Sequence, residues 1–372
     1  MLREIWTFRV FMMSQPNEYI AGKINRDTSV QFHLGFAKEW LADPEITEIC
    51  VNRPLEAWCE SNNVWERHEV PSITYEHLFS LAQAIAKFAY DNVADIKPVM
   101  SAILPKGERV QVVIPPACEH GTISITIRKP SFQVRTLEDY EKQGFFKHIR
   151  PVKNGSTPDE IASLNPTEKE LNTLIGSGKY LGFIRRAVQL EKVIVVAGET
   201  GSGKTTFMKA LMQEIPRTQR IITIEDVPEL FLPQHPNHIH LFYPSEAKEE
   251  ENAIVTAATL LKSCLRMKPT RILLAELRGG EAYDFINVAA SGHGGSITSI
   301  HAGSTQIAFE RMVLMVLQNR QGRTLPYDVI KRLLHMVVDV VIHVTNDVDG
   351  GLGRHTTEIG YDPMQKRKSS IG

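Results

Sequence analysis

Residues 193–206 read VIVVAGETGSGKTT: a β-branched run ending on Gly198, a glycine-rich loop, and a Lys-Thr-Thr triplet. Gly198, Gly203, Lys204 and Thr205 occupy the defining positions of G-x-x-x-x-G-K-[ST]. The pattern by itself has chance matches. Its setting between a strand-like run and a helix-forming stretch is what the chemistry requires, because glycines let backbone N–H groups curl around phosphates and the helix N-terminus adds its dipole. Gly198, Glu199, Thr200, Gly201, Ser202, Gly203, Lys204, Thr205 and Thr206 are therefore expected to hold ATP. Lys204 is expected to reach the β- and γ-phosphates, and the Thr205 hydroxyl to ligate Mg2+. A turn that merely joined strand to helix would need neither.

Downstream, TIEDVPEL (223–230) and RILLAEL (271–277) both carry carboxylates at the ends of strand-like runs. In open α/β sheets ligands sit at the carboxyl ends of strands, so these acids should face the crevice of the phosphate loop. Phosphoryl transfer asks a protein mainly for positioning and charge stabilisation. Glu276 is accordingly expected to hold the metal, and Glu225 or Glu229 to orient the attacking water. The stretch SGHGGSITSIHAGS (291–304) places a glycine hinge before a strand ending in His301, an imidazole suited to sensing the terminal phosphate. Each feature alone has an ordinary explanation, strand-end solvation for the acids and packing for the histidine. Their joint occurrence beside a phosphate loop favours the site.

Around these motifs strands and helices alternate, which predicts a mostly parallel sheet covered on both faces. VDVVIHVTND and RHTTEIGY, flanking Asp349-Gly350-Gly351, are expected to close that sheet as a hairpin. The N-terminal half instead shows short alternating runs (ITEICVN, LEAWCES, NVWERHEV, VMSAILP, ERVQVVIPP, TISITIRKP) around a helical stretch from Tyr75 to Asn92, and reads as α+β with a mainly antiparallel sheet. The expected organisation is an N-terminal segment 1–30, an α+β domain 31–148, a Pro-, Gly- and Ser-rich linker 149–167, an α/β RecA-like P-loop domain 168–363, and a disordered basic tail 364–372. In the first segment, Ile5, Trp6, Phe8 and Phe11 suit a membrane surface, while Arg3, Glu4 and Arg9 break the apolar run a signal peptide needs. A flexible leader explains the segment equally well.

The composition is consistent with a cytoplasmic enzyme. With 42 basic and 43 acidic side chains the net charge is −1, so nothing draws the chain as a whole to nucleic acid, and no basic stripe with interleaved aromatics is present. This argues against direct DNA binding. The four cysteines are isolated, which excludes a zinc site or disulfide framework. No apolar run approaches the roughly 20 residues of a membrane-spanning helix.

Taken in order, GETGSGKTT, TIEDVPEL, RILLAELRGGEA and GHGGSITSIHA closely resemble the Walker A loop, aspartate box, Walker B strand and histidine box of the secretion-ATPase superfamily. The resemblance implies a RecA-like ATPase domain, a homo-hexameric ring, and an N-terminal domain that closes over nucleotide. KGERVQVVIPP and ISITIRKP are similar to segments of the type IV secretion and conjugation branch, which by resemblance carries to Arg109 and Arg128 the role of reaching the γ-phosphate. The missing tetracysteine subdomain favours the same branch, and Thr270, where the family often has an acidic residue, is a peripheral departure. That membership implies a motor peripheral to the cytoplasmic face of the bacterial inner membrane, partnered by channel proteins and a coupling ATPase. Two rivals are a ring translocase pulling directly on DNA and a nucleotide-gated scaffold with little turnover.

Overall fold

The computed structural model describes residues 27–61, 64–89, 91–130, 134–152, 157–244, 255–348 and 350–371. It divides into two compact units, one ending at Pro130 and one beginning at Ser131.

The first unit is built on strands β1 (Ile46–Arg53), β2 (Glu56–Ser61), β3 (Val64–Glu69), β4 (Val99–Ile103), β5 (Arg109–Val113) and β6 (Ser124–Arg128). They form one sheet in the order β3-β2-β1-β6-β5-β4, every pair antiparallel. The Tyr75–Phe88 helix, capped by the Thr74 side chain, buries Leu78, Leu81 and Ile85, the positions that share one helical face. They join Ile49, Val51, Val110, Val112, Ile125 and Ile127 in a single core. Residues 1–26, with the apolar N-terminal stretch, lie outside the described residues.

The second unit holds the α/β architecture: β7 (Arg150–Pro151), β8 (Ile194–Gly198), β9 (Ile221–Glu225), β10 (His238–Phe242), β11 (Arg271–Leu277), β12 (Ile297–His301), β13 (Val340–Asp347) and β14 (Gly353–Tyr361). The order is β10-β9-β11-β12-β8-β13-β14-β7, parallel throughout except for the antiparallel β13–β14 hairpin. Because both faces are covered, β8 and β9 are buried along their whole length and show no polar alternation. Helices Ala257–Cys264, Glu281–Ala290, Thr305–Gln318 and Tyr327–Val337 pack on one face, and Tyr180–Gln189 and Lys204–Gln213 on the other.

The division between units falls earlier than the stretch 149–167. Leu137, Tyr140, Phe145 and Phe146 are buried with Phe183 and Phe207 in the second core, so residues 134–148 pack with the ATP-loop unit. The described part of 149–167 contains β7 and the capped helix Pro158–Ala162, where composition suggested an unstructured connection. The basic tail, expected to be disordered, forms the helix Pro363–Ile371. Its charges are paired: Arg367 with Glu168 at 2.5 Å, Lys366 with Asp339 at 2.7 Å and Lys368 with Glu160 at 2.8 Å.

Arg271 opens β11 with 0% of its surface exposed, and burial pushes its guanidinium down to about 10. It donates to Gln219 Oε1 (2.6 Å), Val188 O (2.7 Å) and Gly295 O (3.3 Å), tying two loops to the end of the Tyr180–Gln189 helix. A Cβ on Gly295 would collide with it, which explains the glycine there. Arg271→Met would leave those buried acceptors without a donor, and should lower stability by about 3 kcal/mol in urea unfolding.

Candidate functional site

Gly198 ends β8 against the neighbouring strand. A Cβ there would strike the Val344 carbonyl and stand 2.6 Å from Ser202 Oγ. Gly201 (φ 77°) and Gly203 (φ 89°) take left-handed backbone that other residues rarely adopt, and Gly203 leads directly into the Lys204–Gln213 helix. The loop is tied internally, with the Ser202 hydroxyl and Lys204 Nζ each donating to Glu199 O at 2.8 Å. Lys204 is buried, Thr205 and Thr206 are half-buried at the first turn, and Glu199 and Thr200 are exposed.

Three consecutive sheet neighbours, β11, β12 and β8, bring Glu276, His301 and the loop together. His301 Nε2 lies 2.8 Å from Glu276 Oε1. Arg278 ion-pairs with the other Glu276 oxygen and, at 2.5 Å, with Asp226. One guanidinium thus bridges the two acidic boxes by ion pairing, the role that the place of Arg278 just after Glu276 suggests in the sequence. Glu281 takes the N–H groups of Arg278 and Gly279 at 2.7 and 2.9 Å, holding that turn at the start of its helix. Burial lowers the affinity of His301 for a proton, reinforced by Lys204, Arg278 and Arg311, while Glu276 opposes the shift. The side chain nonetheless keeps 41% exposure, so a ligand above the loop can reach it.

The two remaining acids have different surroundings. Glu225 is fully buried. Its Oε2 accepts the N–H groups of Glu229 and Leu230, both at 2.7 Å, and its Oε1 accepts the Thr223 hydroxyl at 2.6 Å. Since that hydroxyl proton goes to the carboxylate, the Thr223 oxygen accepts from His240 Nδ1–H at 2.7 Å. All these bonds face inward, so Glu225 fixes the 226–230 loop. Glu229 is half-buried and acts on buried Lys209, whose ammonium burial disfavours and Glu229 and Glu225 restore. Lys209, which sequence reasoning missed, lies over the Phe231 ring at 5.7 Å. Its position one helical turn after Thr205 is ordinary for a surface lysine, so only the fold marks it.

Arg109 and Arg128 belong to the first unit, directly opposite one another on β5 and β6. Arg128 pairs with Glu48 at 3.5 Å.

For a divalent ion, the donors at the loop mouth are the Thr205 hydroxyl and the Glu276 carboxylate. Hard oxygen ligands of this kind suit Mg2+, which keeps several waters and shares substrate phosphates. Among the described residues no group of three or more His, Cys, Asp or Glu is arranged for a metal.

The sequence profile of the family described as "Type II/IV secretion system protein" matches residues 162–353. The chain is 67% identical over 363 residues to the type IV secretion system protein VirB11 of Brucella suis, covering 97% of this chain and 98% of that protein. It is 44% identical over 337 residues to the type IV secretion system protein PtlH homolog of Bordetella bronchiseptica, covering 91% and 96%. Among solved structures, the VirB11 ATPase of the Brucella suis type IV secretion system in complex with sulphate is 66% identical, with a TM-score of 0.52 across 92% of this chain and 100% of that one. The Legionella pneumophila ATPase DotB shares the fold at 15% identity, with a TM-score of 0.54 across 92% and 81%.

Glu225→Ala would strand two buried N–H groups and should lower stability by about 2–4 kcal/mol, whereas Glu229→Ala should cost less than about 1 kcal/mol. Denaturant unfolding of the two variants separates anchor from functional acid. Because its folded affinity for protons lies below the ordinary value of 6.5, His301 contributes stability that is present above pH 6.5 and lost as pH falls through its lower folded value. Unfolding curves between pH 7.5 and 5 should therefore fall more gently for His301→Gln than for the wild type.

Proposed function

Because the chain belongs to the type II/IV secretion system protein family, we propose that it is the ATPase motor of a type IV secretion or conjugation system, hydrolysing ATP to power substrate transfer or pilus assembly. The observation that carries this reading is the convergence of a preformed anion loop, Glu276 and His301 at the carboxyl ends of three adjacent strands.

In this reading each residue takes a role that its surroundings support. Backbone N–H groups of 198–206 and Lys204 bind the β- and γ-phosphates. Thr205 and Glu276 hold Mg2+, which when bound neutralises charge on the phosphate oxygens. Glu229 orients the attacking water, and Glu225 acts on it as a positioning residue through the loop it anchors. His301, 2.8 Å from Glu276, would read the γ-phosphate. By resemblance to the family, Arg109 and Arg128 are assigned the role of binding the γ-phosphate. Like charges directly opposite on a strand pair repel, so a bound anion would relieve the cost of that pairing.

Nucleotide-driven movement, repeated in a homo-hexamer, would become mechanical work on inner-membrane channel proteins and a coupling ATPase. No helix among the described residues is long and apolar enough to cross a membrane. A peripheral place at the cytoplasmic face of the inner membrane is the arrangement we propose.

Purified protein should release phosphate from ATP in a Mg2+-dependent manner. Lys204→Ala should abolish turnover, and Glu276→Gln should cut kcat on the order of 10²–10³-fold while nucleotide still binds. Light scattering should show a particle of six chains with ATP and Mg2+. Full hydrolysis by Lys204→Ala would refute the site.

A further inference from the structure

The antiparallel hairpin of β13 and β14 forms the wall of the phosphate loop, since Val344 O packs on Gly198. The returning strand opens with Gly353 at φ 61° followed by Arg354, opposite Asn346. Arg354 extends over the loop. Its Nε–H donates to Gly201 O at 3.1 Å, and its Cδ lies 3.3 Å from the point where a Cβ on Gly203 would sit. The guanidinium is therefore laid along the two glycines that carry the loop's left-handed turns.

A loop that aims its N–H groups inward at an anion must turn carbonyls outward. Gly201 O is such a carbonyl, and Arg354 takes it with a charged donor. No carboxylate of the described residues pairs with Arg354, whereas Arg278 is held by two. A guanidinium has five N–H donors, and among the described residues the bond to Gly201 uses one of them. Glycine-rich backbone loses more conformational freedom on ordering than any other, so a contact that holds it in the anion-binding form raises affinity without touching the reacting atoms.

We propose that Arg354 is a positioning residue of the nucleotide site: it clamps Gly201 and Gly203 in the phosphate-binding conformation and adds cationic charge beside Lys204, setting the affinity for the triphosphate. The proposal rests on the ATPase reading above. It concerns binding, so the expected signature is a change in KM with little change in kcat.

The test uses the full-length chain and two probes, ATP turnover and binding of inorganic tripolyphosphate. Arg354→Ala should raise the KM for ATP and the Kd for tripolyphosphate by about tenfold or more, with kcat changed less than about threefold. Arg354→Lys, which keeps charge and a donor, should recover much of both, and Arg354→Gln, which keeps only a neutral donor, should recover less. Unchanged KM and Kd in Arg354→Ala, or a fall in kcat matching a fall in thermal stability with no recovery by Lys, would overturn the proposal. Should Arg354→Ala fail to fold, the order of Lys and Gln decides: equal, wild-type-like affinities would overturn it. If the wild type itself neither binds tripolyphosphate nor hydrolyses ATP, the ATPase reading falls instead.

Discussion

The contact between Gly198 and the Val344 carbonyl is the constraint from which the site is built. Parallel pairing of Ile194–Gly198 with Val340–Val344 brings two backbones together at the point where the chain must leave the sheet. With no Cβ to separate them, the exit is fixed, and the next residues can only curl over the strand end and enter the Lys204–Gln213 helix. The same pairing brings the β14 hairpin alongside, so one close approach sets the loop and places Arg354 against it. On the other side, β12 pairs with β8 from Ile297–Ile194 to His301–Gly198, which puts the imidazole at the level where the loop begins.

Charge placement follows from burial. A buried carboxylate persists only where donors satisfy it. Glu225 meets that condition through the Thr223 hydroxyl, His240 on the neighbouring strand and the N–H groups of Glu229 and Leu230. Glu276 shares its oxygens between His301 and Arg278, partners that a bound cation can exchange for itself. Glu229 keeps solvent access, next to the ammonium of Lys209. Three acids of one chemical type thus sit in three different settings, decided by which N–H groups and cations surround each one.

Much of the fold was legible in the sequence. Strands β1, β5 and β6 of the first sheet alternate in burial because one face joins the core of the Tyr75–Phe88 helix, and the buried strands of the second read as unbroken apolar runs. The elements that escaped notice are those with weak periodicity. HIHLF forms β10 at a sheet edge, partly exposed along its length, so no apolar face announces it. Pro363–Ile371 is almost wholly polar, and it is a helix because Glu168, Asp339 and Glu160 neutralise its cations. Residues 134–148 look like the end of the first domain, yet their aromatic side chains are buried around Phe207 in the second.

By itself, the order of residues determined the phosphate loop, the strand-end acids and the histidine, because each needs particular atoms at particular spacings that no other side chains supply. It also determined the alternation of strand and helix, which follows from local burial. Only tertiary structure decided which carboxylate faces inward, that Arg278 spans Asp226 and Glu276, and that Arg354 closes over Gly201 and Gly203 across 153 positions of chain. Such partnerships depend on strand order in the sheet, and strand order is set by the packing of whole elements, to which no local stretch of sequence has access.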